Sequence, residues 1–311
     1  MKRWWTRPLV RVAAALALPT VVPLAISLLI WALPGDPATI LCPPELCGGT
    51  AELAARWRLD RGPFAFFAAW LGDALHGEFG RSWRVQQGVA VGDLLAVAVP
   101  HTLLLVGVAA SLLLAGTALA ALRGVGPRTR LALAALGLVP IVVWALVAAA
   151  LVEIRFGAQS FGTQGSWVRL LAGAAALGIA DGALAGAVNG TFQLFAKERN
   201  ERYVRVALLR GEGELANAFP NVAGALAGQL RARFLHLLSG AVVVEAILRI
   251  DGVGGLLWAG TLLQDFGVVL AAATVFAAIS GALLLAQAAI EIAVGAFTRS
   301  TPAIAPVRAS A

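Results

Sequence analysis

Charge is scarce in this chain: Asp, Glu, Lys and Arg together make up 13% of 311 residues. Soluble domains carry about 25%, so an ordinary water-facing surface is excluded. There are one tyrosine, one methionine, two cysteines and three histidines. His76, His101 and His236 are far apart in sequence and make no metal-binding spacing. The chain has no GxxxxGK[ST] loop to cradle a phosphate and no serine or cysteine nucleophile signature. The glycines of Gly252–Gly255 shape a turn rather than a nucleotide fingerprint. These absences argue against an enzyme, and against a metal or cofactor held by this chain.

What fills the sequence is apolar: 59% hydrophobic residues, with a mean hydropathy of +0.83. A hydrocarbon core is crossed by roughly 20 apolar residues of helix. Six blocks meet that scale: Leu9–Leu33, Val97–Leu122, Leu131–Val152, Leu170–Ala196, Phe234–Ile250 and Val268–Phe297. The fifth is short and is expected to begin near Asn221, giving spans at 9–33, 97–122, 131–152, 170–196, 221–250 and 268–297. The blocks lack the alternation of barrel strands, so the expected class is an all-α polytopic membrane protein with six transmembrane helices. The first block, with its basic start at Lys2, Arg3 and Arg7, reads as a retained span rather than a cleaved leader, being 25 residues long and leading into LPGDP.

Basic residues set the orientation. With the N-terminus inside, the cytoplasmic segments hold sixteen of the 24 Lys and Arg residues, and the outer segments hold eight with ten acids. Both termini are therefore expected in the cytoplasm. The net charge of +7 is a topological signal and does not point to nucleic acid. Seven of the basic residues fall between Lys197 and Arg233, in KERNERYVRVALLRGEGELANAFPNVAGALAGQLRAR. That island, at 197–220 before the fifth span, suits a helix gripped from the cytoplasm, against the plainer reading of a solvated loop. The segment at 34–92 is the largest outer piece, and its short amphipathic helices are read as sealing the bundle. It contains Cys42 and Cys47, which an oxidising compartment would let close LCPPELC; two free thiols are the alternative.

Ionisable residues inside spans are costly and are candidate functional residues. Glu245 and Arg249, four apart, have the spacing of a helical ion pair. Gln287 and Glu291 suit hydrogen bonding between helices. Asp181, among Gly178, Gly182 and Gly186, faces either a pore or partner helix, or is a satisfied interior carboxyl. Arg231 and Arg233 point to different helix faces, so only one can line a vestibule.

Local patterns converge along the chain: WALPGDPA (Trp31–Ala38), RLDRGPF (Arg58–Phe64), HGEFGRSW (His76–Trp83), VPHTLLLV (Val99–Val106), YVRVALLRG (Tyr203–Gly211), GAVVVEAILRIDGVGGLL (Gly240–Leu257) and LLQDFGVVLA. In this order they resemble the permease subunits of bacterial ABC importers for dipeptides, oligopeptides and nickel, from about Leu9 to Arg299. The resemblance implies a type I importer permease fold, one transmembrane domain over 1–311, in the bacterial inner membrane. It implies a second permease subunit, two ATPase subunits that hold the ATP and magnesium, and an extracytoplasmic substrate-binding protein. It also implies that Tyr203, Val204, Arg205, Ala207 and Gly211 form a coupling helix for the ATPase, and that Glu291 sits at an acidic position of the last helix.

The sequence departs from that pattern in three places, one being an abbreviated outer loop before the fourth span. EGELANAFPN is about one helical turn shorter than the usual stretch, its two acids diluting the positive face, and Asn189 stands where an arginine is common. An ion-coupled carrier using Asp181, Glu245 and Glu291 is the alternative, although the sequence shows neither inverted repeats nor broken mid-membrane helices. A non-transporting scaffold descended from a permease is the other.

Overall fold

The computed structural model describes residues 6–32, 34–35, 37–41, 50–56, 58–157 and 163–300. Thirteen α-helices occur among them. A long first helix, α1 (Thr6–Ala32), is followed by the short α2 (Pro37–Leu41) and α3 (Thr50–Arg56), then α4 (Gly62–Leu75). The bundle itself is made of α5 (Val91–Leu122), α6 (Pro127–Leu136), α7 (Ile141–Phe156), α8 (Thr163–Ile179), α9 (Ala183–Arg199), α11 (Glu214–Leu248) and α13 (Phe266–Ser300). Two small helices connect them: α10 (Arg202–Leu209) before α11, and α12 (Val253–Leu262) after it.

Four segments are long and apolar enough to cross a membrane: Pro8–Ala32, Val91–Leu122, Ser166–Arg199 and Phe266–Ala296. A fifth is α6 with α7, if that pair is one span bent by 83°. The described residues are thus those of an all-α, multi-pass membrane protein. The remaining long helix, α11, carries Arg231, Arg233 and Glu245 within its apolar part, which weakens its resemblance to a simple span.

The main core joins α5, α7, α8, α9 and α11 through Leu105, Ile141, Leu177, Ala187, Leu237 and Val244. Small residues allow the close approach that membrane helices need, since lipid gives no hydrophobic drive for helices to associate. A Cβ on Gly240, for example, would run into the ends of Ile141 and Leu177. Helix α1 lies antiparallel against α13, with Ala15 opposite Gly281 and Arg11 opposite Glu291. A second cluster packs Phe66, Phe67 and Trp70 of α4 with Ile30, Trp83 and Phe266. A third gathers the start of α5, α12 and the start of α13 around Val91, Leu95, Val253 and Val268.

Two expected spans are not continuous. The block at 131–152 breaks between Gly137 and Pro140, and the block at 170–196 breaks at a 3-10 turn, Ala180–Gly182. Proline supplies no N–H and disfavours helix in the residue before it, which accounts for the first break. At the second, Asp181 and Gly182 adopt left-handed backbone, with φ of 49° and 69°. The absence of broken helices expected from the sequence is therefore corrected: two occur among the described residues, and they touch. The Asp181 N–H donates to the Val139 carbonyl at 3.3 Å, and the Asp181 carboxylate accepts from the Ile141 N–H at 3.2 Å. Each break supplies hydrogen-bonding groups that the other exposes, as irregular backbone at membrane depth requires.

Gly137 faces the Gly182 backbone so closely that an added Cβ would lie 2.5 Å from its Cα. Backbone cannot yield as a flexible side chain can, so Gly137→Ala is expected to destabilise the protein by ~1–3 kcal/mol. A lowered thermal unfolding midpoint in detergent would show this; an unchanged midpoint would mean the breaks do not meet.

Candidate functional site

The segment after α9 turns at Asn200 and Glu201 into α10, eight residues long. An isolated helix of that length is unstable in water, so its position depends on what holds it. Val204 and Ala207, three apart and on one face, are buried against its neighbours. The helix ends in a Schellman motif: Gly211 N–H donates to Leu208 O and Glu212 N–H to Ala207 O, both at 3.0 Å. Gly211 takes φ +78°, a conformation costly for any residue with a Cβ.

Tyr203 ties three helices together. Its hydroxyl donates to the Glu198 carboxylate at the end of α9 and accepts from Asn221 Nδ2 of α11 at 2.6 Å. Partial burial and the hydrogen bond to Glu198 push its pKa up to about 12. Arg199 links α9 to the start of α11 through Glu214 at 2.6 Å, and donates to Ala121 O of α5 at 3.1 Å. Glu214, one of the two acids expected to dilute the basic face, is therefore turned back to Arg199.

The opposite face of α10 is uncovered. Leu209 is 88% exposed, and Tyr203, Val206, Leu208 and the nearby Phe219 are each more than two-fifths exposed. Arg202, Arg205 and Arg210 are exposed among them. The result is an apolar surface interleaved with guanidinium groups. Of the five residues expected at this site, Tyr203, Val204, Ala207 and Gly211 hold the helix in shape, and Arg205 stands on its exposed side.

Among the intramembrane residues, the pairing of Glu245 with Arg249 is not found. Glu245 is fully buried. Helix α11 stops at Leu248 and Arg249 turns left-handed with φ 52°, so the i,i+4 geometry is lost. Glu245 instead accepts from Thr102 Oγ1 at 2.7 Å and from the Gly255 N–H at 3.0 Å, while Thr102 Oγ1 accepts from the Val253 N–H at 2.8 Å. Together they satisfy donors at the start of α12, where the helix dipole also favours negative charge. Asp181 contacts a partner helix: it meets Ile141, and its Oδ2 lies 3.7 Å from His236 Nε2 on α11. Glu291 binds Arg11 of α1 and accepts from Gln287 Nε2 at 3.0 Å. Arg233 lies over Gly186 of α9, and Arg231 Nε is buried without a hydrogen-bond partner. Cys42 and Cys47 lie outside the described residues.

Asp265 was not singled out by the sequence. Wholly buried, it receives Ser82 Oγ (2.6 Å) and the N–H groups of Trp83 (2.8 Å), Arg84 (2.9 Å) and Val85 (3.1 Å). It fastens the loop around the Arg81–Ala90 bridge to the turn before α13, where Trp83 meets the Phe266 ring edge-on. The only sequence signal was LLQDFG, a short motif whose aspartate sits in an apparent loop.

Two tests follow from this geometry. Asp265→Ala strands several buried donors, costing at least ~3 kcal/mol, and trypsin is expected to cut after Arg81 and Arg84 much faster than in the unaltered protein. An unchanged cleavage rate would count against the clamp. Tyr203 is the chain's one tyrosine, so tyrosinate absorbance reports it alone. Its midpoint should be near 12 rather than 10.0. Because the folded-state pKa is the higher one, the contact contributes fully below pH 10 and is lost as pH rises through about 12. Glu198→Gln should lower the midpoint; a midpoint at the ordinary phenol value would remove the Tyr203 tie.

Residues 113–296 match the sequence family described as binding-protein-dependent transport system inner membrane component. The match runs from the second half of α5 into the last turns of α13 and includes all of α10. No curated protein matches the chain.

Proposed function

The chain belongs to the binding-protein-dependent transport system inner membrane components, and we propose that it is one permease subunit of an ABC importer that moves peptides or a related small solute, such as a nickel complex, into the cytoplasm. In this reading residues 1–311 form one transmembrane domain of six spans, with α6–α7 as the bent third and α11 as the fifth. Both termini and α10 face the cytoplasm, an orientation supported by the distribution of basic residues.

The observation that carries the proposal is the exposed face of α10. An apolar patch crossed by arginines, on a helix fixed from behind, suits insertion into a groove of a partner protein. That partner is an ATPase subunit, one of two, which would hold ATP and magnesium. Tyr203, Val204, Ala207 and Gly211 shape the coupling helix, and Arg205 offers charge to the groove. ATP-driven closure of the ATPases would push α10, and its ties to α9 and α11 would carry the movement into the bundle. A second permease subunit completes the pathway, and an extracytoplasmic binding protein delivers solute at the end formed by α12 and the Arg81–Ala90 loop. Of the intramembrane residues, Arg231 remains the candidate for facing the path, since Asp181, Glu245 and Glu291 are engaged with their own chain.

One observation favours a second reading. Two helices interrupted side by side at Asp181 match a feature of ion-coupled carriers, whose broken helices meet at the binding site. Affinity purification from gentle detergent separates the two. A Walker-type ATPase should co-purify with the unaltered chain and be lost, by tenfold or more, from the double variant Val206→Asp, Leu209→Asp. Since both side chains are exposed, the thermal midpoint should stay within a degree or so of the starting value. A stable homo-oligomer with no ATPase would overturn the proposal and favour the carrier.

A further inference from the structure

Arg249 occupies an unusual backbone position. It follows the last residue of α11 with φ 52° and ψ 49°, in the left-handed region. Helices commonly end in that conformation, but on glycine, which adopts it without steric cost. Strained non-glycine backbone that persists in a fold points to a use for the side chain. The side chain is exposed and has no carboxylate partner among the described residues.

Its surroundings give it one. Arg249 forms part of the wall of three cavities at the end of the bundle that carries α12. The largest, about 690 Å³, also has Asp93, Asp251 and Trp258 in its wall. A second, about 260 Å³, adds His101 and Arg169, and a third, about 370 Å³, is lined by Arg169 with its partner Glu153. Neither Glu153 nor Glu245 offers a free carboxylate to Arg249: the first is paired with Arg169 and the second is bound to Thr102 and Gly255. The largest cavity falls within the size range of small-molecule sites, roughly 300–1,000 Å³. Its walls carry both signs of charge: Arg249, and the carboxylates of Asp93 at the start of α5 and Asp251 in the turn after α11.

We propose that this outer cavity is a solute-binding site of the permease itself, in which Arg249 takes the carboxylate of a small zwitterionic solute and Asp93 and Asp251 face its ammonium group. Guanidinium matches a carboxylate with two parallel hydrogen bonds, which gives orientation as well as attraction. The proposal rests on the importer reading and narrows its substrate: a solute with a free carboxylate is favoured over its neutral amide.

The test is calorimetric binding to the purified chain in phosphatidylcholine nanodiscs, with dialanine and dialanine amide as probes. Dialanine should bind at least tenfold more tightly than the amide. Arg249→Gln should erase that preference and Arg249→Lys should keep part of it. Arg249→Gly should also erase it while leaving the unfolding midpoint unchanged or raised, because glycine relieves the left-handed strain; this excludes misfolding as the cause. Equal affinities in the unaltered chain, or a preference that survives Arg249→Gln, would overturn the proposal. So would phosphatidylglycerol that co-purifies with the unaltered chain but not with Arg249→Gln when no dialanine preference exists, since the guanidinium would then serve a lipid headgroup. The measurement needs no ATPase. Loss of the dialanine preference in a chain that still captures the ATPase removes this site alone, and failure to capture the ATPase removes the importer reading alone.

Discussion

Inside an apolar bundle, a backbone N–H released where a helix breaks or begins cannot turn to water. Much of this structure depends on how those groups are met, and carboxylates meet them in three places. Asp181 takes the Ile141 N–H where α7 begins beside the second break. Glu245, with Thr102, serves the start of α12. Asp265 gathers the N–H groups of a loop that would otherwise lie loose at the end of the bundle. A buried acid costs several kcal/mol unless it is hydrogen-bonded; Glu245 and Asp265 are wholly buried and bonded, while Asp181 is exposed on its outer side. The acids that look most like transport chemistry in a linear reading are thus part of the scaffold.

Helix α10 obeys a different economy. Burying Val204 is worth about 1.5–3 kcal/mol, and Ala207 less, so two small side chains alone would hold it weakly. The Schellman closure at Gly211 and the three-helix junction at Tyr203 make up the difference. Both are local devices, and both leave the outward face unburdened. The patch around Leu209 can therefore stay apolar without being needed for the fold.

Long helices were legible where composition decides them. The apolar runs Leu9–Leu33, Val97–Leu122 and Val268–Phe297 fall on α1, α5 and α13, α5 beginning six residues earlier at Val91, because long apolar runs have one stable form in lipid. Breaks were not legible, since a hydropathy window counts side chains and does not ask whether the backbone continues. Pro140 was visible, but the left-handed turn at Asp181 depends on the neighbouring break and exists only in three dimensions. The Glu245–Arg249 pairing failed for a related reason: spacing predicts contact only while the helix lasts, and α11 ends one residue too soon. Tyr203 to Gly211 could be found as a motif, but nothing in the motif said which residues would face inward. Asp265 had no pattern of its own, because its partners lie some 180 residues away.

The contact between the two breaks has a mechanical consequence. Four half-helices, α6 with α7 and α8 with α9, meet at a node where Gly137 lies on Gly182 and Asp181 is bonded to the backbone on both sides of Pro140. A tilt of α9 would reach α7 through the short Asp181 side chain and the glycine contact rather than through long, flexible side chains, which makes the node closer to a pin joint than to a spring.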